Sequence, residues 1–352
     1  MPAWISQLGH ALPGAPLAQE DVARWLEARL PAGSDPKRLH LFARRSGVET
    51  RHAVIDLLGG EGDELYPVGR PHADTQVRSR AFARLAPPLA VAAVQAACPG
   101  GPGRITHLVV ATCTGVVAPG LDLQLIQALG LPRSTRRTMV TFMGCYAAMP
   151  ALRVAWDAVR ADPTARVLVV CCELSSLHLQ TGPDDDALIA ACLFADGASA
   201  AIVEGGEAPV GLGLRIERDA CAVVPDTADA MAWIAAADGF RLRLSPTVSR
   251  ALGSELPGLT DELLGGIPRP QCRFAVHPGG PRILDDVVKA LDLPADALTD
   301  SREALRIAGN RSSGTILAVI DAMCRRPWSG PLAAYAFGPG LTAEGILLTR
   351  NP

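Results

Sequence analysis

RTMVTFMGCYAAMPALR, residues 137–153, reads as a short strand (138–142), a Gly144-Cys145 turn and the start of a long helix from Tyr146 to Arg160. The strand portion is short and rich in apolar and β-branched residues. A strand that turns through glycine straight into a helix is a building unit of α/β folds.

The flanking sequence extends that unit. Upstream, residues 105–111 (ITHLVVA) form a buried strand ending in Thr112-Cys113-Thr114-Gly115, and 122–129 is helical. Downstream, 166–172 (RVLVVCC) and 198–203 (ASAAIV) are further strands. The C-terminal third repeats the order. Strand 272–276 ends at His277-Pro278-Gly279-Gly280, and helix 282–291 follows. Ala308-Gly309-Asn310 then opens a helix running to about Cys324. Strand 332–337 ends in Gly338-Pro339-Gly340, and 345–349 is the last strand. The recurrence predicts two similar α/β halves, residues 1–206 and 207–352, joined at the turn-rich Glu204-Gly205-Gly206-Glu207-Ala208-Pro209. The first hundred residues read as helices and loops. Residues 19–30 have helical spacing, and the Ala-rich stretch 76–98 ends at Pro99-Gly100-Gly101.

Composition narrows the function classes. At 352 residues and 49% hydrophobic, the chain can bury a large core. The net charge of −3 argues against a broad nucleic-acid face. The positive charge is almost all arginine, Lys37 and Lys289 being the two lysines. Nine scattered cysteines without a C-x-x-C pattern argue against structural zinc and a disulfide framework, and for reduced thiols in the cytoplasm. The N-terminus lacks the basic and apolar regions of a signal peptide, and no apolar run is long enough to span a membrane.

Three polar residues fall at comparable joints, where α/β proteins gather functional groups. Cys145 lies between strand and helix, His277 at a strand end, and Asn310 at the start of the helix matching the Cys145 helix. A thiol at a helix N-terminus is expected to ionise more easily, and a neighbouring histidine would hold the thiolate as an ion pair. His and Asn together can donate to one oxygen, making a site for an enolate or a tetrahedral oxyanion. Taken singly, each has a plainer role: Asn310 suits an N-cap, and Cys171, Cys172 and Cys192 read as core. Pro150, five positions after Cys145, shifts the expected helix start, because proline fits only a first turn.

These residues resemble the type III polyketide synthases, the chalcone and stilbene synthase family. Residues 137–153 resemble its nucleophile region. Leu193-Phe194-Ala195-Asp196-Gly197-Ala198 is similar to its Leu-Phe-Gly-Asp-Gly-Ala stretch. His277-Pro278-Gly279-Gly280, Gly309-Asn310-Arg311-Ser312-Ser313 and Phe337-Gly338-Pro339-Gly340-Leu341-Thr342 match its later motifs. The resemblance runs from about residue 105 to the end. It implies a thiolase-like five-layered αβαβα fold and a homodimer. It also implies a starter acyl group taken from CoA onto Cys145, decarboxylation of malonyl-CoA, Claisen extension, and closure to a pyrone, resorcinol or similar ring. No cofactor is implied; the CoA thioesters are substrates. By the same resemblance Phe194 and Phe240 stand at the pocket mouth, while Cys113, Ser312 and the Gly338-Pro339-Gly340 loop line the cavity. Arg38 and Arg45 are placed at the CoA entrance. Cys113 replaces a threonine of plant members, and Ala118 a bulkier residue. The Glu173–Leu177 stretch points to a bacterial member.

The alternatives are a single-condensation ketoacyl synthase III or hydroxymethylglutaryl-CoA synthase-like enzyme, which the closing Gly-Pro-Gly opposes, and a non-catalytic thiolase-like scaffold, which the intact Cys/His/Asn set opposes. A papain-like protease shares the order Cys, His, Asn but has a Cys-Gly-Ser-Cys-Trp signature that this chain lacks.

Overall fold

The computed structural model describes residues 2–182, 184–209, 211–245 and 247–350. Among these, nine strands form one mixed sheet: β1 (Ala3–Ala11), β2 (His107–Thr112), β3 (Arg136–Thr141), β4 (Arg166–Leu174), β5 (Asp196–Gly205), β6 (Leu214–Val223), β7 (Arg273–Val276), β8 (Pro331–Gly338) and β9 (Thr342–Arg350). The order across the sheet is β7-β8-β9-β6-β1-β5-β4-β2-β3.

The doubling is visible in the pairing. β2 runs parallel to β4, β4 antiparallel to β5, and β5 antiparallel to β1. The same run recurs as β7 parallel to β8, β8 antiparallel to β9, and β9 antiparallel to β6. The two runs meet at β1 and β6 through just Trp4–Arg215 and Ile5–Leu214.

Alternation along the strands sorts side chains into separate cores. Leu108, Val110, Leu168 and Val170 face outward, onto the helix Thr75–Ala97. Val109, Ala111, Val167 and Val169 face inward, onto the helices Ala148–Ala161 and Thr315–Cys324. From the other run, Leu332, Ala334 and Ala336 join that central core. Ala333 and Tyr335 point instead to the outer helices Val248–Leu264 and Pro281–Leu291. Helix, one run of the sheet, paired helices, the other run of the sheet and helix make the five layers of a thiolase-like α/β fold.

The reading of the first hundred residues needs a correction. Helices Gln19–Glu27, Pro36–Arg45 and Thr75–Ala97 are present, the last capped by Asp74, whose Oδ1 accepts the Val77 N–H at 2.8 Å. Ala3–Ala11, however, is a strand at the centre of the sheet. Its apolar run is broken by Ser6, Gln7 and His10, and pairing on both sides, not local pattern, decides its conformation. All nine cysteines are free thiols. No helix among the described residues is long and apolar enough to cross a membrane.

Candidate active site

Cys113, Cys145 and His277 all follow the C-terminal ends of parallel strands, β2, β3 and β7. The doubled topology relates them in pairs. Cys113 ends β2 as His277 ends β7, and Cys145 precedes the central helix Ala148–Ala161 as Asn310 precedes Thr315–Cys324. Gly144 and Gly309, before Cys145 and Asn310, both hold positive φ (+77° and +67°). A Cβ on Gly144 would lie 2.4 Å from Pro339 Cδ, and one on Gly309 would lie 2.8 Å from Ala195 Cβ. Glycine therefore serves both the turn and the close approach.

Backbone bonds fix each group. The Gly144 N–H donates to Cys113 Sγ at 3.0 Å, anchoring the turn that carries Cys145. The His277 N–H donates to Tyr335 O at 2.8 Å. The Asn310 N–H donates to Leu193 O at 2.9 Å, and Asn310 O accepts the Ala195 N–H at 2.9 Å, which clasps Asn310 beside Phe194. Arg51 steadies the Phe194 side of that clasp. It is buried and donates to Cys192 O (2.9 Å) and Phe194 O (3.0 Å), at the C-terminus of helix Asp185–Leu193, where orphan carbonyls and the helix dipole favour a cation.

Cys145, His277 and Asn310 border one cavity of about 330 Å³. The Asn310 amide lies beside the sulfur, with Nδ2 at 3.8 Å and Oδ1 at 3.9 Å from Sγ. Oδ1 accepts the Ser312 N–H at 2.8 Å, which assigns the amide's orientation and leaves Nδ2 as the donor toward the sulfur. Ser312 reaches this position with φ +47°, a strained left-handed conformation held at the site. His277 is 1% exposed, and neither ring nitrogen has a partner among the described residues. Burial, with the nearby Arg311 charge in second place, pushes its pKa down to about 3, so the imidazole is neutral and offers one N–H.

The expected easing of Cys145 ionisation is overturned in the free site. Cys145 is open to the cavity but removed from bulk water, and burial pushes its thiol up to about 11 against the pull of Ser312 and Asn310. The helix itself starts after the sulfur. The regular helix begins at Ala148, which keeps Pro150 within the first turn and leaves Cys145 in the short 3₁₀ turn Gly144–Tyr146.

Phe194, Cys113, Ser312, Pro339 and Arg45 border the same cavity. Gly338 and Gly340 do not: Gly338 packs against the Tyr146 ring, and Gly340 turns the chain at φ +113°. Phe240 is fully buried in an aromatic cluster, stacked on His178 at 4.2 Å, and borders a neighbouring cavity of about 1180 Å³. Leu242 and Leu244 of the same strand, Gly239–Leu244, reach the Cys145 cavity in its place. Arg38 is ion-paired with Asp185 and also borders the larger cavity.

Several site residues escaped the sequence. Trp233 lines the cavity and donates to Cys113 O at 2.8 Å. Arg282 stands at the mouth, at the start of helix Pro281–Leu291. Glu173 is fully buried directly behind the site. A carboxylate closing the apolar run RVLVVCC was its one visible signal.

A sulfur with an amide donor and a neutral imidazole, set at the strand ends of a doubled αβαβα fold, defines a thiolase-fold condensing enzyme. The model of the chalcone and stilbene synthases, N-terminal domain, matches residues 2–208, and that of the C-terminal domain matches residues 215–352. The chain belongs to this family and is a type III polyketide synthase, a decarboxylating, condensing acyltransferase acting on CoA thioesters. It is 32% identical over 359 residues to the alpha-pyrone synthesis polyketide synthase-like Pks18 of Mycobacterium tuberculosis, covering 98% of this chain and 90% of that one. It is 34% identical over 340 residues to the 1,3,6,8-tetrahydroxynaphthalene synthase of Streptomyces griseus, covering 92% and 86%. A third relative, probable polyketide synthase 1 of Dictyostelium discoideum, is 30% identical over 98% of this chain, which spans 11% of that protein. The crystal structure of the C-terminal type III polyketide synthase domain of Steely1 from Dictyostelium superposes with a TM-score of 0.91 at 26% identity, over 99% of both chains.

Proposed function

We propose that Cys145 carries the acyl chain and that His277 and Asn310 stabilise the oxygen charges of each step. In this reading the chain divides near residue 206 into a half supplying the sulfur and a half supplying both donors. In loading, Cys145 Sγ bonds to the acyl carbonyl carbon, and the CoA sulfur leaves with the proton that Cys145 gave up through His277. Malonyl-CoA then enters. Its carboxylate leaves as CO2, and the electrons of that bond pass into an enolate whose oxygen accepts from the His277 N–H and Asn310 Nδ2. The enolate carbon attacks the Cys145 thioester, the tetrahedral oxyanion collapses, and the Cys145 thiolate is released for another round. No external base is needed, because loss of CO2 makes the carbanion.

The orientation of Asn310, set by the Ser312 N–H, is the observation that carries this reading, since it leaves a donor beside the sulfur with no other use. The apolar wall of Phe194, Trp233, Leu242 and Phe337 supports it by disfavouring the solvated malonyl carboxylate. Arg45 and Arg282, both exposed at the mouth, are the cations proposed for the CoA phosphates. The product is a pyrone, a resorcinol or a similar ring. We further propose a cytoplasmic homodimer. The edge strand β3 lies open beside exposed Val116, Val117 and Phe142, an apolar face that a second copy would cover.

CO2 release from malonyl-CoA tests the donors. Asn310→Ala and His277→Ala should each lower it roughly 10²–10³-fold, the effect of losing one oxyanion donor, about 3 kcal/mol. Rates within a few-fold of wild type in both variants would remove the two residues from the mechanism.

A further inference from the structure

One buried charge stands beside the reaction centre without a partner. Arg311 follows Asn310 directly and is 4% exposed. Its backbone is fixed: the N–H donates to Thr315 Oγ1 at 2.9 Å, at the start of helix Thr315–Cys324. Its stem lies over Gly197 at the head of β5, where an added Cβ would come within 2.7 Å of Arg311 Cδ. Yet among the described residues Nε has no hydrogen-bond partner, and no acid offsets the guanidinium. Arg51, also buried, instead donates to Gln19 and to the carbonyls of Ala191, Cys192 and Phe194. Asp321, on helix Thr315–Cys324, is engaged by Arg325 at 2.8 Å and by His10 Nδ1 at 3.6 Å. Burial lowers Arg311 from 12.5 to about 10, so it stays charged at neutral pH. A buried charge left unpaired costs stability, and such costs concentrate at functional sites.

The charge is felt on two sides. It disfavours protonation of His10 on β1 and of His277 after β7. At His277 it is the one charge among the described residues that acts, second only to burial. Glu173, when ionised, works in the opposite sense and disfavours negative charge at Cys145. Arg311 borders neither cavity, so it acts through space and not by touching substrate. Each round of condensation places negative charge on an oxygen at His277 and Asn310, first in the enolate and then in the tetrahedral oxyanion. A fixed positive charge next to those donors favours both states and costs no reorganisation when they form.

We infer that Arg311 is a positioning residue of the condensation, its unpaired buried charge acting through His277 and Asn310 to favour the negative oxygen they hold. The inference rests on the reading of those two donors given above. No proton moves to or from Arg311, and it forms no bond to substrate. The field serves the charge that develops during reaction and not the neutral thioester that binds. Arg311 thus bears on turnover and not on substrate capture.

The test compares wild type, Arg311→Met and Arg311→Lys by CO2 release from malonyl-CoA and by denaturant unfolding. Arg311→Met keeps the stem and removes the charge. Its kcat should fall about tenfold with KM within about twofold, while it unfolds at the same denaturant concentration as wild type or a higher one. Arg311→Lys keeps a charge that burial makes titratable in the assay range. Its rate relative to wild type should be close to full at about pH 6 and fall toward that of Arg311→Met by about pH 9, a dependence that side-chain shape alone does not produce. A kcat for Arg311→Met within about twofold of wild type overturns the inference. So does an Arg311→Lys rate that follows Arg311→Met at every pH. Arg311→Met that unfolds more readily than wild type, or does not fold, gives the side chain a packing role and overturns the inference as well. Wild type that releases no CO2 overturns the parent reading and this one with it.

Discussion

Glu173 Oε1 accepts the Ser313 hydroxyl at 2.6 Å, joining β4 to the turn that carries Asn310. Its other oxygen accepts the Cys113 N–H at 2.9 Å and the Thr114 hydroxyl at 2.8 Å. One fully buried carboxyl thus ties the segments behind both the sulfur and the amide.

Burial pushes Glu173 from 4.5 up to about 7, against the hydrogen bonds that favour its charge. Because the folded value lies above the unfolded one, the folded protein holds the extra proton between them. Its contribution is fully present below about 4.5 and is lost as pH rises through about 7. Glu173→Gln does not titrate. The stability of wild type relative to the variant should therefore be highest at about pH 4.5 and below and fall by up to about 3 kcal/mol by pH 8, read by denaturant unfolding. A gap independent of pH would show that Glu173 does not change its charge in this range.

Gly144, in the turn before helix Ala148–Ala161, meets Pro339, in the loop after β8, and the contact leaves no room for a methyl group. Gly144→Ala should lose about 1–3 kcal/mol of stability, from positive φ and the clash together. Pro339→Gly made in that background relieves the clash but not the φ, so recovery should be partial. A double-mutant cycle should give a coupling of at least about 0.5 kcal/mol. Simple additivity would mean that the loop and the Cys145 turn move apart freely.

Arg45 and Arg282 should act on substrate capture alone. Replacing either by alanine is expected to raise KM for the acyl-CoA and malonyl-CoA roughly three- to tenfold with kcat little changed, as for uniform binding by exposed charges. Arg38→Ala should leave KM within about twofold, since Arg38 faces the other cavity. A KM effect confined to Arg38→Ala would relocate the CoA site.

What the sequence disclosed followed from local grammar. Cys145, His277 and Asn310 each sit where a strand or a helix meets a glycine turn, and the doubled order brings those joints to one edge. What it concealed depended on register and distance. Phe240 and Leu242 share a strand face two residues apart, and that one step along the strand, which no sequence pattern marks, separates the larger cavity from the Cys145 cavity. Arg38 and Arg45 share a helix face but stand two turns, about 10 Å, apart, enough to open onto different cavities. At Cys145 the helix dipole can be read from a pattern, whereas the burial that opposes ionisation belongs to the assembled fold. β1 lacked the apolar run that marked β2 and β4, because its neighbours supply its packing.

Intact-protein mass after incubation with hexanoyl-CoA and malonyl-CoA tests the central claim most directly. Wild type should carry the starter acyl group and then a ladder of added ketide units, all mapping to Cys145, and Cys145→Ala should carry none. Unmodified wild type under turnover, or a ladder that persists in Cys145→Ala, would contradict it.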